Sequence, residues 1–454
     1  MNLPPGPRGA ATLGFFGLAP GRTRLDFLLA TARQYGPISS FRVLNKRICV
    51  VDDPTIVEDI LVRRQHCFAR GSARVLLREL LGNGLVTSEE PLHRQRRRMM
   101  QPAFHRAQIA SYAEAMKHEA RRAGDAWSMC ARIDLSDEMR RLTLGVVGSA
   151  LFGADMHQSA GAVAAVVARV VKKSTWLVLL SVLLEPVFAA YRRGFPHAPR
   201  LVFGNERLEL ERILAPIISR HRGKGGRDIL SLLLAERDER GDTLNDEDIR
   251  NEVVSLVLAG HETTATALTW ACYLLATHPH VVQKLEAELD RVLGDRDPSL
   301  DDIPRLTYAA NVFAETLRLY PSASAFTRRP LEDIGLGGYT VPSGTIVFLS
   351  PYITQRNKRW FPNPDAFEPE RWDTATPKFA YFPFGAGAKM CIGESFAKME
   401  GVLVLATIAR RMRLELIDQT AVGFAPGVAL KPDRPLLMRP ILRANRGELS
   451  AASA

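Results

Sequence analysis

The chain has 454 residues, 46% hydrophobic and 24% charged, an ordinary globular balance with material for a large core. Sixty Lys and Arg against 49 Asp and Glu leave a net charge of +11, but there is no basic tail and little interleaving of aromatic with basic residues, which argues against nucleic acid as a partner. The five cysteines, Cys49, Cys67, Cys130, Cys272 and Cys391, are odd in number, scattered and never spaced Cys-x-x-Cys. That excludes a disulfide framework or zinc site and fits a reducing, cytoplasmic setting.

Residues 1–21 are rich in Pro and Gly and read as an irregular arm; the prolines stand where a signal peptide would need an apolar core. Helical spacing covers 25–35 and ends at Gly36-Pro37. Residues 38–43 and 47–51 flank a polar turn and read as a hairpin. Asp53-Pro54 then caps a helix over 55–64. The stretch 71–91 reads as a loop with Gly82-Asn83-Gly84 inside it.

Next comes the basic helix His93-Arg-Gln-Arg-Arg97-Arg98. His93 and Arg97 lie four apart on one face, placed to turn inward toward an anion, while the other arginines present charge outward. Helical patterns fill 108–152, 160–192, 205–222 and 228–239. The apolar run 176–184 is bounded by Lys172, Lys173 and Glu185 and is too short to span a bilayer, so the chain is expected to be soluble, without a membrane anchor.

From Asn245-Asp246 to Thr277 nothing breaks a helical pattern until His278-Pro279. About 30 residues make a helix of roughly 45 Å, enough to cross a large domain. Its middle is apolar nearly all round and should be buried. Inside it stands Ala259-Gly260-His261-Glu262-Thr263-Thr264. Gly is a poor helix former, and the Thr263 hydroxyl can bond the Ala259 carbonyl, so a widened or kinked turn is expected. A carboxylate and two hydroxyls in a buried helix are costly unless they serve something.

Helices follow at 281–293 and 308–320, the second carrying Glu315 and Arg318 three apart on one face. Residues 322–329 are extended, and 339–341 with 345–350 read as a hairpin about Pro342-Ser-Gly344. A Pro-rich meander, Glu368-Pro-Glu-Arg371-Trp372, leads to Phe384-Gly-Ala-Gly387-Ala-Lys389-Met-Cys391-Ile-Gly393 and a long apolar helix over 395–412. A cysteine after a glycine-rich loop and at a helix start sits where an anion is favoured, so its thiolate should be stabilised. Such a loop suits a thiolate ligand under a flat metal cofactor. One domain is expected, mostly helical with a smaller strand-rich part, ending in a disordered tail at 445–454.

These pieces, in this order, resemble the cytochrome P-450 superfamily of haem-thiolate monooxygenases over nearly the whole chain. The family's Phe-x-x-Gly-x-Arg-x-Cys-x-Gly pattern matches at Phe384, Gly387, Cys391 and Gly393, with Lys389 in the Arg position. Lys keeps the charge but loses the bidentate fork. Glu315, Arg318 and Arg371 match the family's buried Glu-x-x-Arg and Arg network, and Ala259–Thr264 its oxygen-activation motif. His93, Arg97 and Arg328 resemble ligands of the haem propionates.

The resemblance implies the P-450 fold: a large helical domain with a long central helix plus a smaller β-rich region. It implies haem b with Cys391 as axial iron ligand, Phe384 shielding the proximal side, and the sulfur's electron donation favouring O–O cleavage. It implies insertion of one atom of O2 into a hydrophobic substrate (a terpenoid, fatty acid or steroid), the other oxygen leaving as water. Thr263 would orient water and Glu262 connect to solvent for proton delivery. No flavin, nicotinamide or iron–sulfur pattern occurs, so a monomer is expected to take electrons from a separate ferredoxin or flavoprotein. The arginines at 94–106, with Lys389, would suit an acidic partner. Residues 71–90, 170–190, 254–259 and 323–326 are candidates for the substrate pocket. A peroxide-using or rearranging haem-thiolate enzyme and a haem sensor are the alternatives; the acid–alcohol pair and the lack of a signalling domain argue against them.

Overall fold

The computed structural model describes residues 2–16, 23–71, 73–153, 203–239, 241–425 and 429–443, with a few helical positions between 162 and 173. The expected helix over 160–192, its apolar run and the tail at 445–454 fall wholly or mostly outside the described residues. What is described is mainly helical, with the helix Asp246–Thr277 running through the middle. Its 32 residues make a rod of about 48 Å. Asn245 caps it by accepting from the Asp248 amide at 2.8 Å, and three acids stand in its first turn, where the helix dipole favours them.

This helix solves the cost of buried hydroxyls locally. Ser255, Thr263, Thr264, Thr266 and Thr269 each donate to the carbonyl four residues back, at 2.7–3.1 Å. Each of these five hydroxyls is satisfied without leaving the helix. The expected widened turn is not there: the chain stays α-helical through Gly260 and Thr264. The helix packs most extensively on Leu135–Phe152, and Thr143 ties the two by donating to the His261 carbonyl at 3.0 Å. Glu394–Arg411 and Thr307–Leu319 pack on its other side, sharing one large apolar core with it.

The strand-rich part is a five-stranded sheet of Ile38–Val43 (β1), Lys46–Val51 (β2), Phe68–Arg70 (β3), Phe326–Pro330 (β5) and Ile346–Leu349 (β8), ordered β1-β2-β8-β5-β3. A short strand Ile133–Asp134 (β4) joins Met412–Leu416 (β9) and Leu437–Leu442 (β10) in a second sheet. The expected hairpin about Pro342-Ser-Gly344 does not form. Tyr339–Val341 (β7) instead turns back on Ile334–Leu336 (β6) through Gly337-Gly338, both at positive φ, the conformation a two-residue hairpin turn requires. This frees β8 to lie between β2, in parallel, and β5, antiparallel.

Other elements shift from expectation. The stretch 71–91 is not all loop: Ala73–Leu81 is helical. The helix after Pro54 is α only to Glu58 and continues as a wider π turn over Asp59–Arg63. Arg96 is not solvated on its helix but buried against Asp248 and Glu252 of the central helix.

Candidate functional site: the Cys391 cavity

A cavity of about 400 Å³ lies between the 383–397 segment and the central helix. Cys391, Phe384 and Phe396 line one side, and Leu256, Ala259, Gly260 and Thr263 the other. Val86, Ala323 and Phe326 contribute from the rim, which places part of three expected pocket segments on it. The expected segment 170–190 lies outside the described residues but for two helical positions near its start, Val170 and Lys173. Val254, Val257 and Leu258 face a separate small apolar space.

The cysteine loop is positioned by backbone. Gly387 sits at φ +71°, and a Cβ there would come within 1.9 Å of the Leu61 carbonyl oxygen, so only glycine closes this contact. The Ala388 amide donates to Gln65 at 2.9 Å, fixing the loop to the 59–67 segment. Gly387 therefore does not touch the cavity; it seats the loop. The Cys391 amide donates to the Phe384 carbonyl at 2.9 Å, folding the loop so that sulfur and ring share the cavity. Lys398 stands 5.5 Å from the centre of the Phe384 ring.

Cys391 is exposed, but to the cavity rather than to the outer surface. Its thiol is pushed up, not down: burial outweighs the Gly393 amide and the Arg97 charge, and Glu394 adds to the rise. The expected stabilisation of the thiolate by the helix start is thus smaller than desolvation, and a metal ion is what would reverse the balance.

At one edge of the cavity region basic groups gather. Lys389 is tied to Glu89 at 2.8 Å, with only 12% of its side chain exposed. Burial lowers its pKa while Glu89 opposes. Burial likewise lowers that of Arg328, on β5, again against the pull of Glu89. His93 is buried, 3.2 Å from Glu90, and pushed down to about 4 first by desolvation and then by Arg70, so it is neutral at pH 7. Arg97 donates to the Met390 carbonyl at 2.6 Å, next to the ligand position. Arg70, which the sequence did not single out, belongs to this group: its amide donates to Glu89 at 3.0 Å. Lys389 is therefore an inward residue and not part of an outer docking surface.

A planar macrocycle with two carboxylates fits this arrangement on three grounds. A single soft sulfur opens into an apolar cavity. The cations Lys389, Arg328 and Arg70 lie close together with Glu89, where carboxylates would be held. The loop approaches by backbone, leaving the sulfur uncovered.

Thr263 and Glu262 are neighbours in sequence but face different spaces. Thr263 lines the cavity and donates to Ala259 at 2.7 Å, while its own carbonyl accepts from Ser322 at 2.7 Å. Glu262 lines a second, polar cavity of about 220 Å³ with Asp134, Arg140, Lys431 and Asp433. It is ion-paired with Lys431, and the His261 ring lies 3.9 Å away.

Beneath the cavity, Glu315 and Arg318 are both fully buried. Arg318 makes a two-pronged pair with Glu315 at 2.9 Å and donates to the carbonyls of Gln355, Pro364 and Ala366 at 2.6–2.9 Å. Arg371 reaches the same carboxylate at 2.8 Å, and Trp372 at 3.0 Å. The network pins the meander that delivers the cysteine loop. Nearby, Glu400 is fully buried and neither carboxyl oxygen has an aligned hydrogen-bond partner; burial pushes it up to about 8 despite the adjacent Thr264 hydroxyl. Its signal in the sequence is a lone acid inside an apolar helical run.

No described helix is long and apolar enough to cross a membrane. The family model that matches the chain is Cytochrome P450 (cytochrome P-450), over residues 4–437. The chain is 37% identical over 449 residues to cyclooctatin synthase of Streptomyces melanosporofaciens, covering 95% of this chain and 94% of that protein. It is 34% identical over 412 residues to cyclooctat-9-en-7-ol 5-monooxygenase of the same organism, covering 89% and 88%. It is 31% identical over 399 residues to pentalenene oxygenase of Streptomyces avermitilis, covering 87% of each. By this match over most of its length and these relatives, the chain belongs to the cytochrome P-450 family of haem-thiolate monooxygenases.

Proposed function

We propose that the enzyme oxygenates a cyclic terpenoid, drawing electrons from a separate ferredoxin or flavoprotein. The observation that carries this reading is the cavity itself: largely apolar walls converge on one sulfur, with Thr263, Thr264 and Ser322 the hydroxyl residues in the lining. The names of three relatives support it, since they point to the cyclooctatin and pentalenene skeletons. Cys391 would hold haem b, with His93, Arg97, Arg328 and Lys389 toward its carboxylates, and the group would supply the oxygen-activating chemistry.

The chain's own residues do the rest. The apolar chamber strips water from the substrate and leaves few polar contacts to orient it, so shape selects. Thr263 keeps its hydroxyl proton on Ala259, which leaves its oxygen free to accept from a water on the cavity side. Glu262 takes protons from the polar cavity on the other side of the helix, and Lys431 holds its carboxylate there. Overall, substrate C–H, O2, two electrons and two protons give C–OH and water. Arg94, Arg98 and Arg106 are exposed, the first two paired with Glu90 and Glu239, and offer an acidic donor its docking charges.

The test is turnover of cyclic terpene hydrocarbons with O2, NADPH and a surrogate ferredoxin and reductase. A product heavier by one oxygen atom is expected, with reduction slowing steeply as salt rises. Equal turnover by peroxide without a donor would overturn the O2-dependent reading. Thr263→Ala should still bind substrate but release reduced oxygen as hydrogen peroxide; tight coupling in that variant would remove Thr263 from proton delivery.

A further inference from the structure

Val86 is the cavity residue with the least obvious support, because it stands on the irregular stretch between Leu81 and Leu92. The backbone of Leu85 and Val86 is nevertheless gripped from two sides. On one side Glu252 of the central helix accepts the Leu85 amide with both oxygens, at 3.1 and 2.9 Å. On the other, the Arg70 guanidinium takes the Val86 carbonyl and reaches the Leu85 carbonyl at 3.5 Å.

The same stretch lies hard against the helix. Gly82, at φ +57°, leaves no room for a Cβ: one would meet the Asn251 side chain at 2.3 Å. A Cβ on Gly84 would meet Ser255 at 2.9 Å and Glu252 at 3.1 Å. Thr87 closes the turn from within, donating to the Gly82 carbonyl at 2.6 Å.

Glu252 is completely buried and has a buried cation, Arg96, 3.9 Å away. Arg96 in turn pairs with Asp248. Along the central helix, Glu252 continues the stripe that lines the cavity: Leu256 is one turn on, Ala259 and Gly260 two, Thr263 three. A buried acid at the end of an apolar stripe is expensive, and here its acceptor capacity is spent on a single amide of the chamber wall.

We propose that Glu252 is a specificity-determining positioning residue: by holding the Leu85 amide it fixes Val86, and so sets the width of the substrate chamber. It touches neither cofactor nor substrate and acts through Leu85. The inference rests on the haem reading of the cavity, and the experiment separates the two.

The haem-loaded enzyme is titrated with imidazole, which needs almost no room, and with clotrimazole, which fills the chamber; both are followed by the shift of the haem absorption band. In Glu252→Ala the ratio of the two dissociation constants should move about tenfold toward the bulky ligand, while imidazole affinity changes by less than about twofold. Glu252→Gln, whose amide oxygen still accepts from Leu85, should return the ratio to within about threefold of the unmodified enzyme. An unchanged ratio in folded, haem-loaded Glu252→Ala overturns the proposal, as does a ratio that Gln fails to restore. Should Glu252→Ala not fold, Gly84→Ala displaces the same stretch with the charge intact; a shifted ratio supports the proposal and an unchanged one overturns it. Absence of any shift with imidazole in the unmodified enzyme sinks the haem reading, and this proposal with it.

Discussion

The two walls of the cavity are built by opposite means. The wall that carries Cys391 is set by backbone: the Cys391 amide on Phe384, the Ala388 amide on Gln65, and Gly387 pressed on the Leu61 carbonyl. The facing wall is set by side chains of the central helix, chiefly Leu256, Ala259 and Thr263. At position 387 the contact admits no residue but glycine, so the loop's backbone is held rigidly there. Side chains of an open chamber can be exchanged with modest cost, so the substrate's place is adjustable. On the proposed function, one wall would fix the chemistry and the other select the molecule.

The largest effect should fall on the backbone wall. Cys391→Ser should abolish the thiolate signature in the spectrum of the reduced carbon monoxide complex; survival of that band would move the ligand elsewhere. Next is the network that carries this wall. Glu315→Ala strips Arg318, Arg371 and Trp372 of their shared acceptor. The buried charges left behind should cost ~3–5 kcal/mol, read from denaturant unfolding, and bring loss of haem. A cost under about 1 kcal/mol would show that the loop is held without it.

Glu400 sharpens the comparison from behind the same wall. Its carboxyl is held up to about 8 in the fold, against a reference value of 4.5. Between those values the folded state keeps a proton that the unfolded chain has released. Stability should therefore fall as pH rises through that window and level off above it, by up to about 1.4 kcal/mol per pH unit. Glu400→Gln should lack this slope in unfolding free energies measured from about pH 5 to 9; parallel curves would place the proton elsewhere. The smallest effect should lie on the opposite wall. Leu256→Ala should keep haem content and the carbon monoxide spectrum while shifting the affinity of a bulky hydrophobic ligand by ~1 kcal/mol. Haem loss in that variant would erase the distinction between the walls.

Much of the backbone wall was legible because its chemistry depends on residue type. Only glycine fits at Gly387, a single cysteine follows the glycine-rich loop at 391, and Glu315 with Arg318 shares a helix face. The central helix was legible from its cap at Asn245 and its stop at His278-Pro279. What stayed hidden depended on partners distant in the chain. Arg96 reads as one more solvated arginine until Asp248 and Glu252 stand opposite it. Lys389 reads as a surface charge until Glu89 takes it. The hairpin about Pro342-Ser-Gly344 failed because β8 gains two partners by leaving it.

The sequence by itself determined the family, the glycine-rich cysteine loop and the helix that faces it, since these rest on local spacing. The tertiary structure alone decided that Glu262 and Thr263 face different cavities, that Glu400 is buried without an aligned partner, and that Glu252 grips the chamber wall. The physical reason is that a carboxylate's role is set by what desolvates it and what donates to it. Both are supplied by segments far away in sequence.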